Sequence, residues 1–102
     1  MKIINLKQVL YNFRGDAINS GVEGVDLTLG EALANILLGS EVGGKMKMFV
    51  LAERCYKEEM GQFDSADFDL IKQAVASQKH YLTLVAGQVE KILFDLKDSE
   101  EK

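Results

Sequence analysis

Proline is absent from the 102 residues, and cysteine and histidine occur once each. Without proline, no helix or strand interior carries that breaker, and slow prolyl isomerisation does not limit folding. One cysteine excludes an internal disulfide and any multi-cysteine zinc site. Cys55 lies among apolar neighbours in "FVLAERCYK" and reads as a buried thiol. A Cys–His pair would have to recruit His80, and no motif supports one. His80 stands near the start of the last expected helix, towards its core side and beside Tyr81, and reads as a packing or surface residue.

Arginine is nearly as scarce: Arg14 and Arg54 are the only two among twelve basic residues, and the net charge is −4. Phosphate backbones attract basic stripes and favour the bidentate arginine fork, so nucleic acid is a disfavoured partner. Long apolar runs are missing too. "MKIINLKQVLYNF" contains no continuous apolar segment ahead of a small-residue cleavage site. The longest uncharged stretch, His80 to Val89, is about half of the ~20 residues a membrane-spanning helix needs. The expectation is a cytoplasmic protein with no membrane partner.

What remains is ordinary for one globular domain: 47% apolar residues in a chain long enough for a single core. Glycine is concentrated before residue 62, with Gly87 alone beyond it, so the first half is turn-rich. Val9, Tyr11 and Phe13 alternate with Leu10, Asn12 and Arg14 in the period of a half-buried strand. Gly15-Asp16 suits a two-residue type II′ turn, with the return strand beginning at Ala17-Ile18. The Arg14-Gly15-Asp16 tripeptide, an adhesion signal in extracellular proteins, reads here as that turn. After the loop "NSGVEG", alternation resumes at Val25, Leu27 and Leu29.

Thr28-Leu29-Gly30-Glu31 has the form of a capping box, and Leu33, Ile36 and Leu37 line one face of the helix it opens, with Gly39 as the stop. A second helix runs through "KMKMFVLAERCYKEE", with Met48, Leu51, Ala52 and Cys55 as its stripe and Phe49 and Tyr56 widening it. "MGQF" reads as a turn with a short extended piece. Asp64 caps a third helix, with Asp67 at its third position and Phe63 and Phe68 placed as a hydrophobic staple; Ile71 and Val75 follow inward. Ser77-Gln78 is a weak break before a last helix carrying Leu82, Val85, Val89, Ile92, Leu93 and Leu96. The fold class is α+β, mainly helical: a short N-terminal β-hairpin packed on three or four helices. Residues 1–97 form the one domain and 98–102 a solvated tail.

Three stretches invite a chemical reading, and each fails it. "GSEVGGK" matches a phosphate loop at Gly39, Gly44 and Lys45, but Met46 replaces the magnesium-binding hydroxyl and a helix precedes it instead of a strand. "DSADFD" offers carboxylates at 64, 67 and 69, yet the sixth and twelfth positions of a calcium loop fall on Asp69 and Val75. Glu53, Glu58 and Glu59 beside Asp64 lie on outward helical faces with no second catalytic group. The expectation is no enzyme, no catalytic residue, no cofactor and no metal.

The succession "NLKQVLYNFRGDAI … LTLGEALANILL … KMFVLAERCYK … FDSADFDLIKQAVAS … YLTLVAGQVEKIL" resembles a group of small proteins of tailed phages and prophages. The resemblance runs over nearly the whole chain on packing and capping motifs, and it implies a phage-associated setting in a bacterial host cell, with virion association open. The expected function is non-enzymatic: protein–protein contact in particle assembly or as a small adaptor, with other phage proteins as partners. The alternative is a small helical nucleic-acid-binding regulator, reading "DFDLIKQAVASQKHYLTLVAGQVEKIL" as helix-turn-helix, although its second helix carries only Lys79 and Lys91. A homo-oligomer, most simply a dimer, is expected through Tyr81, Leu84 and Phe94. At 100° per residue Leu84 and Phe94 fall off the core stripe of the last helix, and Tyr81 lies at its margin.

Overall fold

The structure, a computed structural model, describes residues 2–96; the tail expected at 98–102 lies outside the described residues. The described elements are β1 (Lys2–Asn5), α1 (Leu29–Leu38), α2 (Lys45–Lys57), β2 (Met60–Phe63), α3 (Ser65–Ser77) and α4 (Thr83–Asp95). This is the α+β, mainly helical class expected. The two strands pair antiparallel, Lys2 opposite Phe63 and Asn5 opposite Met60. Ile4, Gly61 and Phe63 point into the core from that sheet. The "MGQF" stretch is therefore a strand, not a turn.

Residues 9–28 double back where the sequence suggests, with a different turn and the opposite face inward. Phe13, Arg14 and Gly15 form a three-residue loop: the Gly15 amide donates to the Asn12 carbonyl and the Asn12 amide to the Asp16 carbonyl. Gly15 sits at φ +90°, the left-handed position that closes such a loop. The Asn12 side chain organises it, its Oδ1 accepting from the amides of Arg14 and Asp16. Pairing is reduced to isolated bridges, Tyr11 with Ala17, Asn19 with Asp26 and Val9 with Thr28. Leu10 is buried and Ile18 packs on the core, while Tyr11 and Phe13 face outward. A strand has period two, so choosing Leu10 for the core turns its aromatic neighbours to water.

The helices follow their caps. Thr28 Oγ1 accepts from the Glu31 amide at 3.2 Å, and α1 buries Ala32, Leu33, Ile36 and Leu37. Thr28→Ala should lower stability by ~1 kcal/mol, and Ser or Asp at the same position should restore most of it. An unchanged denaturation midpoint would show that the cap contributes nothing.

In α2 the expected stripe of Met48, Leu51, Ala52 and Cys55 is buried, but Phe49 and Tyr56 lie outside it and face solvent. Asp64 Oδ1 accepts from the Asp67 amide at 2.8 Å to start α3, which buries Phe68, Ile71, Ala74 and Val75. α3 ends at Ser77, and residues 78–82 separate it from α4. Gln78 holds that connection: its side-chain amide donates to the Tyr81 carbonyl and accepts from the Tyr81 amide. Because α4 begins only at Thr83, Leu82 is its N-cap and 85% exposed, and the core stripe contracts to Val85, Val89 and Leu93. His80 likewise sits in the exposed connection, not on the core side of a helix.

Candidate functional site

Residues that invite a catalytic reading are engaged elsewhere or stand apart. Gly39 caps the end of α1 and Gly44, at φ +89°, precedes the first turn of α2, so the glycine loop joins two helices. Met46 is exposed where a phosphate loop places its hydroxyl. Calorimetry with magnesium and ATP is expected to show no heat of binding; micromolar affinity abolished by Lys45→Ala would overturn this. Among the acidic groups, Glu53 pairs with Lys57 at 3.0 Å, Glu58 with Arg54 at 3.1 Å and Asp67 with Lys47 at 2.7 Å, while Asp64 caps α3. Among the described residues no group of three His, Cys, Asp or Glu side chains converges.

Cys55 is buried on α2, whereas the His80 ring stands edge-on to Tyr81, with centroids 4.5 Å apart. Burial pushes the Cys55 thiol from 9.0 up to about 12, with Arg54 acting to lower it and Glu58 to raise it. The thiolate is the reactive form and the side chain is sealed from solvent, so alkylation of the folded protein near pH 8 should be far slower than for a free cysteine. Iodoacetamide labelling followed by mass spectrometry checks this: modification should appear only as the chain unfolds.

The three residues expected to mediate self-association do not form one patch. Tyr81 is turned partly inward, its hydroxyl accepting from the Asn35 side-chain amide at 2.7 Å. Burial raises the pKa of that hydroxyl, while the Asn35 bond acts to lower it. Leu84 is 37% exposed and lies one turn from Gln88, whose Oε1 accepts from the Tyr11 amide and so holds the N-terminal segment against α4. Phe94 lies ten residues further on, about 15 Å along the helix axis. It is 87% exposed and stands on a different surface.

That surface is a groove of about 700 Å³ between α3 and α4. Phe68, Val75 and Leu93 line it as buried apolar side chains, and Phe94 stands at its edge. Asp69 and Lys72 lie along the α3 wall, Glu90 and Lys91 along the α4 wall. The ammonium groups of Lys2 and Lys72 stand 5.7 Å and 5.3 Å from the centre of the Phe68 ring.

A second surface was not expected. Leu38 of α1 and Phe49 and Tyr56 of α2 line one shallow cleft over Ala34 and Ala52, each of the three about three-fifths exposed. A signal for it exists in the sequence. At 100° per residue Phe49 and Tyr56 fall roughly 90–110° from the centre of the Met48, Leu51, Ala52 and Cys55 stripe, too far to share its burial. Compared with protein-family models, curated proteins and solved structures, the chain matches none.

Proposed function

We propose that this protein is a non-enzymatic interaction module that works by binding other protein chains, as an assembly component or small adaptor in the tailed-phage setting its sequence pattern resembles. The observation that carries the reading is the α1/α2 face. Leu38, Phe49 and Tyr56 crowd one cleft while the buried set beneath is already complete. Contiguous exposed apolar groups of this kind mark protein contact surfaces, and aromatic side chains are the usual anchors of such interfaces. Phe49 and Tyr56 lie seven residues apart, two turns along one face of α2, a spacing that suits an apolar partner helix.

The distribution of positive charge works against nucleic acid as the target. Lys47, Arg54, Lys57 and Lys91 each lie within 3.2 Å of a carboxylate oxygen, so their fields are largely neutralised locally. On α4 itself the one basic residue is Lys91, paired with Asp95.

Placing photoreactive benzoylphenylalanine at position 49 in the native host cell tests the proposal. Light-dependent adducts with particular proteins are expected, and virion components among them would assign the role to particle assembly. The same probe at Phe13, an exposed aromatic outside this cleft, should give none of these. Adducts no different from the Phe13 control, or filter retention of DNA that weakens steeply with salt, would overturn it.

A further inference from the structure

We infer that the α1/α2 face is a self-association surface, on which α2 of a second copy lies antiparallel across a two-fold axis. The inference rests on the protein-contact reading and names the chain that fills the face. At 100° per residue Tyr56, Phe49, Glu53, Met46, Lys57 and Val50 span an arc of roughly 120° on the outer side of α2. The apolar members of this arc are exposed, Met46 at 81%, while Met48, Leu51, Ala52 and Cys55 fill the inner side. A helix apolar on two sides needs cover on both. The two charged members, Glu53 and Lys57, pair with each other at 3.0 Å and bring no net sign.

Symmetry singles out a second copy. A foreign chain is free to differ from the surface it covers. In a two-fold contact the same patch meets itself, so apolar groups must repeat on either side of the midpoint and charges must invert across it. α2 meets both conditions. Phe49 and Tyr56, seven residues apart, flank a midpoint between Ala52 and Glu53, so one register sets each ring opposite the unlike ring of the other copy. The floor between them is small, with Ala34 and Ala52 lining the cleft. The same register carries Lys45 and Met46, in the first turn of α2, to Glu59 and Met60 of the other copy. Lys45 and Glu59 are both exposed, and among the described residues neither belongs to an ion pair. The remaining cations of α2, Lys47 and Arg54, are held by Asp67 and Glu58. Lys45 sits unfavourably at the positive end of its own helix, whose first turn holds no acidic residue. A carboxylate from the other copy offsets both that charge and the dipole, once at each end of the contact.

Sedimentation equilibrium on the full chain at tens of micromolar tests the assignment. The wild type is expected at twice the 11.3 kDa chain mass. Phe49→Glu, at an exposed position, should weaken the dimer by about thirtyfold or more, the loss typical of an interface hot spot. Phe94→Glu, on another surface, should leave it intact. Lys45→Glu and Glu59→Lys should each weaken it by about tenfold, because two symmetry-related attractions become repulsions. Combining them should restore it. Lys45 opens α2 and Glu59 lies just beyond its far end, so only a contact between copies can carry that rescue. A dimer unaffected by Phe49→Glu overturns the inference, and so does a double variant no tighter than the singles. A monomeric wild type overturns it too, and the photoadducts at position 49 then separate the two readings. Adducts with other proteins leave the protein-contact reading standing, whereas adducts matching the Phe13 control remove both.

Discussion

Gly30→Ala is expected to lower stability by ~3 kcal/mol, the upper end of what overpacking a rigid site costs. The sign is not obvious beforehand. Gly30 lies in the first turn of α1, and alanine in a helix ordinarily gains about 0.5–1 kcal/mol over glycine. Here a Cβ would run into the backbone carbonyl of Cys55 and stand 2.9 Å from that of Leu6. Neither obstacle is a flexible side-chain end. The Cys55 carbonyl belongs to α2, and the Leu6 carbonyl accepts from the Gly30 amide itself at 2.8 Å. Relieving the collision therefore means separating α1 from α2 or breaking the bond that docks α1 on the N-terminal segment. The steric cost exceeds the propensity gain by a wide margin. Urea denaturation checks this; a midpoint that rises in Gly30→Ala would mean that the two helices are not in such close approach.

Phe63→Ala should cost about 3–5 kcal/mol, the range for removing a fully buried aromatic ring. Phe63 is wholly buried at the end of β2, and the Arg54 guanidinium lies 4.5 Å from its ring centre. That guanidinium is held in place by Glu58 and by a 2.6 Å bond from Nη2 to the Gln62 carbonyl. Truncation leaves a cavity and also strips the stacked cation of its apolar support. Phe63→Leu, which keeps most of the volume, should lose clearly less. Equal losses in the two variants would mean the ring fills no specific space.

The contrast between these sites shows how much was readable from residues alone. The helix caps at Thr28 and Asp64, the inward stripes of α1 and α3 and the central stripe of α2 follow from local side-chain chemistry, and all are observed. β1 was not legible, because four residues reading Lys-Ile-Ile-Asn become a strand only through a partner at 60–63. The inverted face at Leu10 has the same origin: alternation specifies two faces, and only long-range packing selects between them. The exposed aromatics divided likewise. Phe94 was legible as surplus to its helix by angle, whereas Phe49 and Tyr56 were absorbed into a stripe too wide to bury. The groove itself was not legible, since its walls come from two helices whose separation at 78–82 depends on the Gln78 bonds to Tyr81.

The pairing of β1 with β2 imposes an order in time. Asn5 pairs with Met60, so the first strand leaves the ribosome long before its partner exists. At ~5–20 residues per second the wait lasts several seconds, far longer than a helix needs to form. During that interval the docking of α1 on α2 can proceed, because both are complete by Lys57. Ile4 and Leu6, fully sheltered in the finished protein, have no β2 to cover them until Met60–Phe63 emerges. The nascent chain thus carries a short apolar strand with a free edge throughout the middle of its synthesis, the stage at which a chaperone or a neighbouring nascent copy has most to bind.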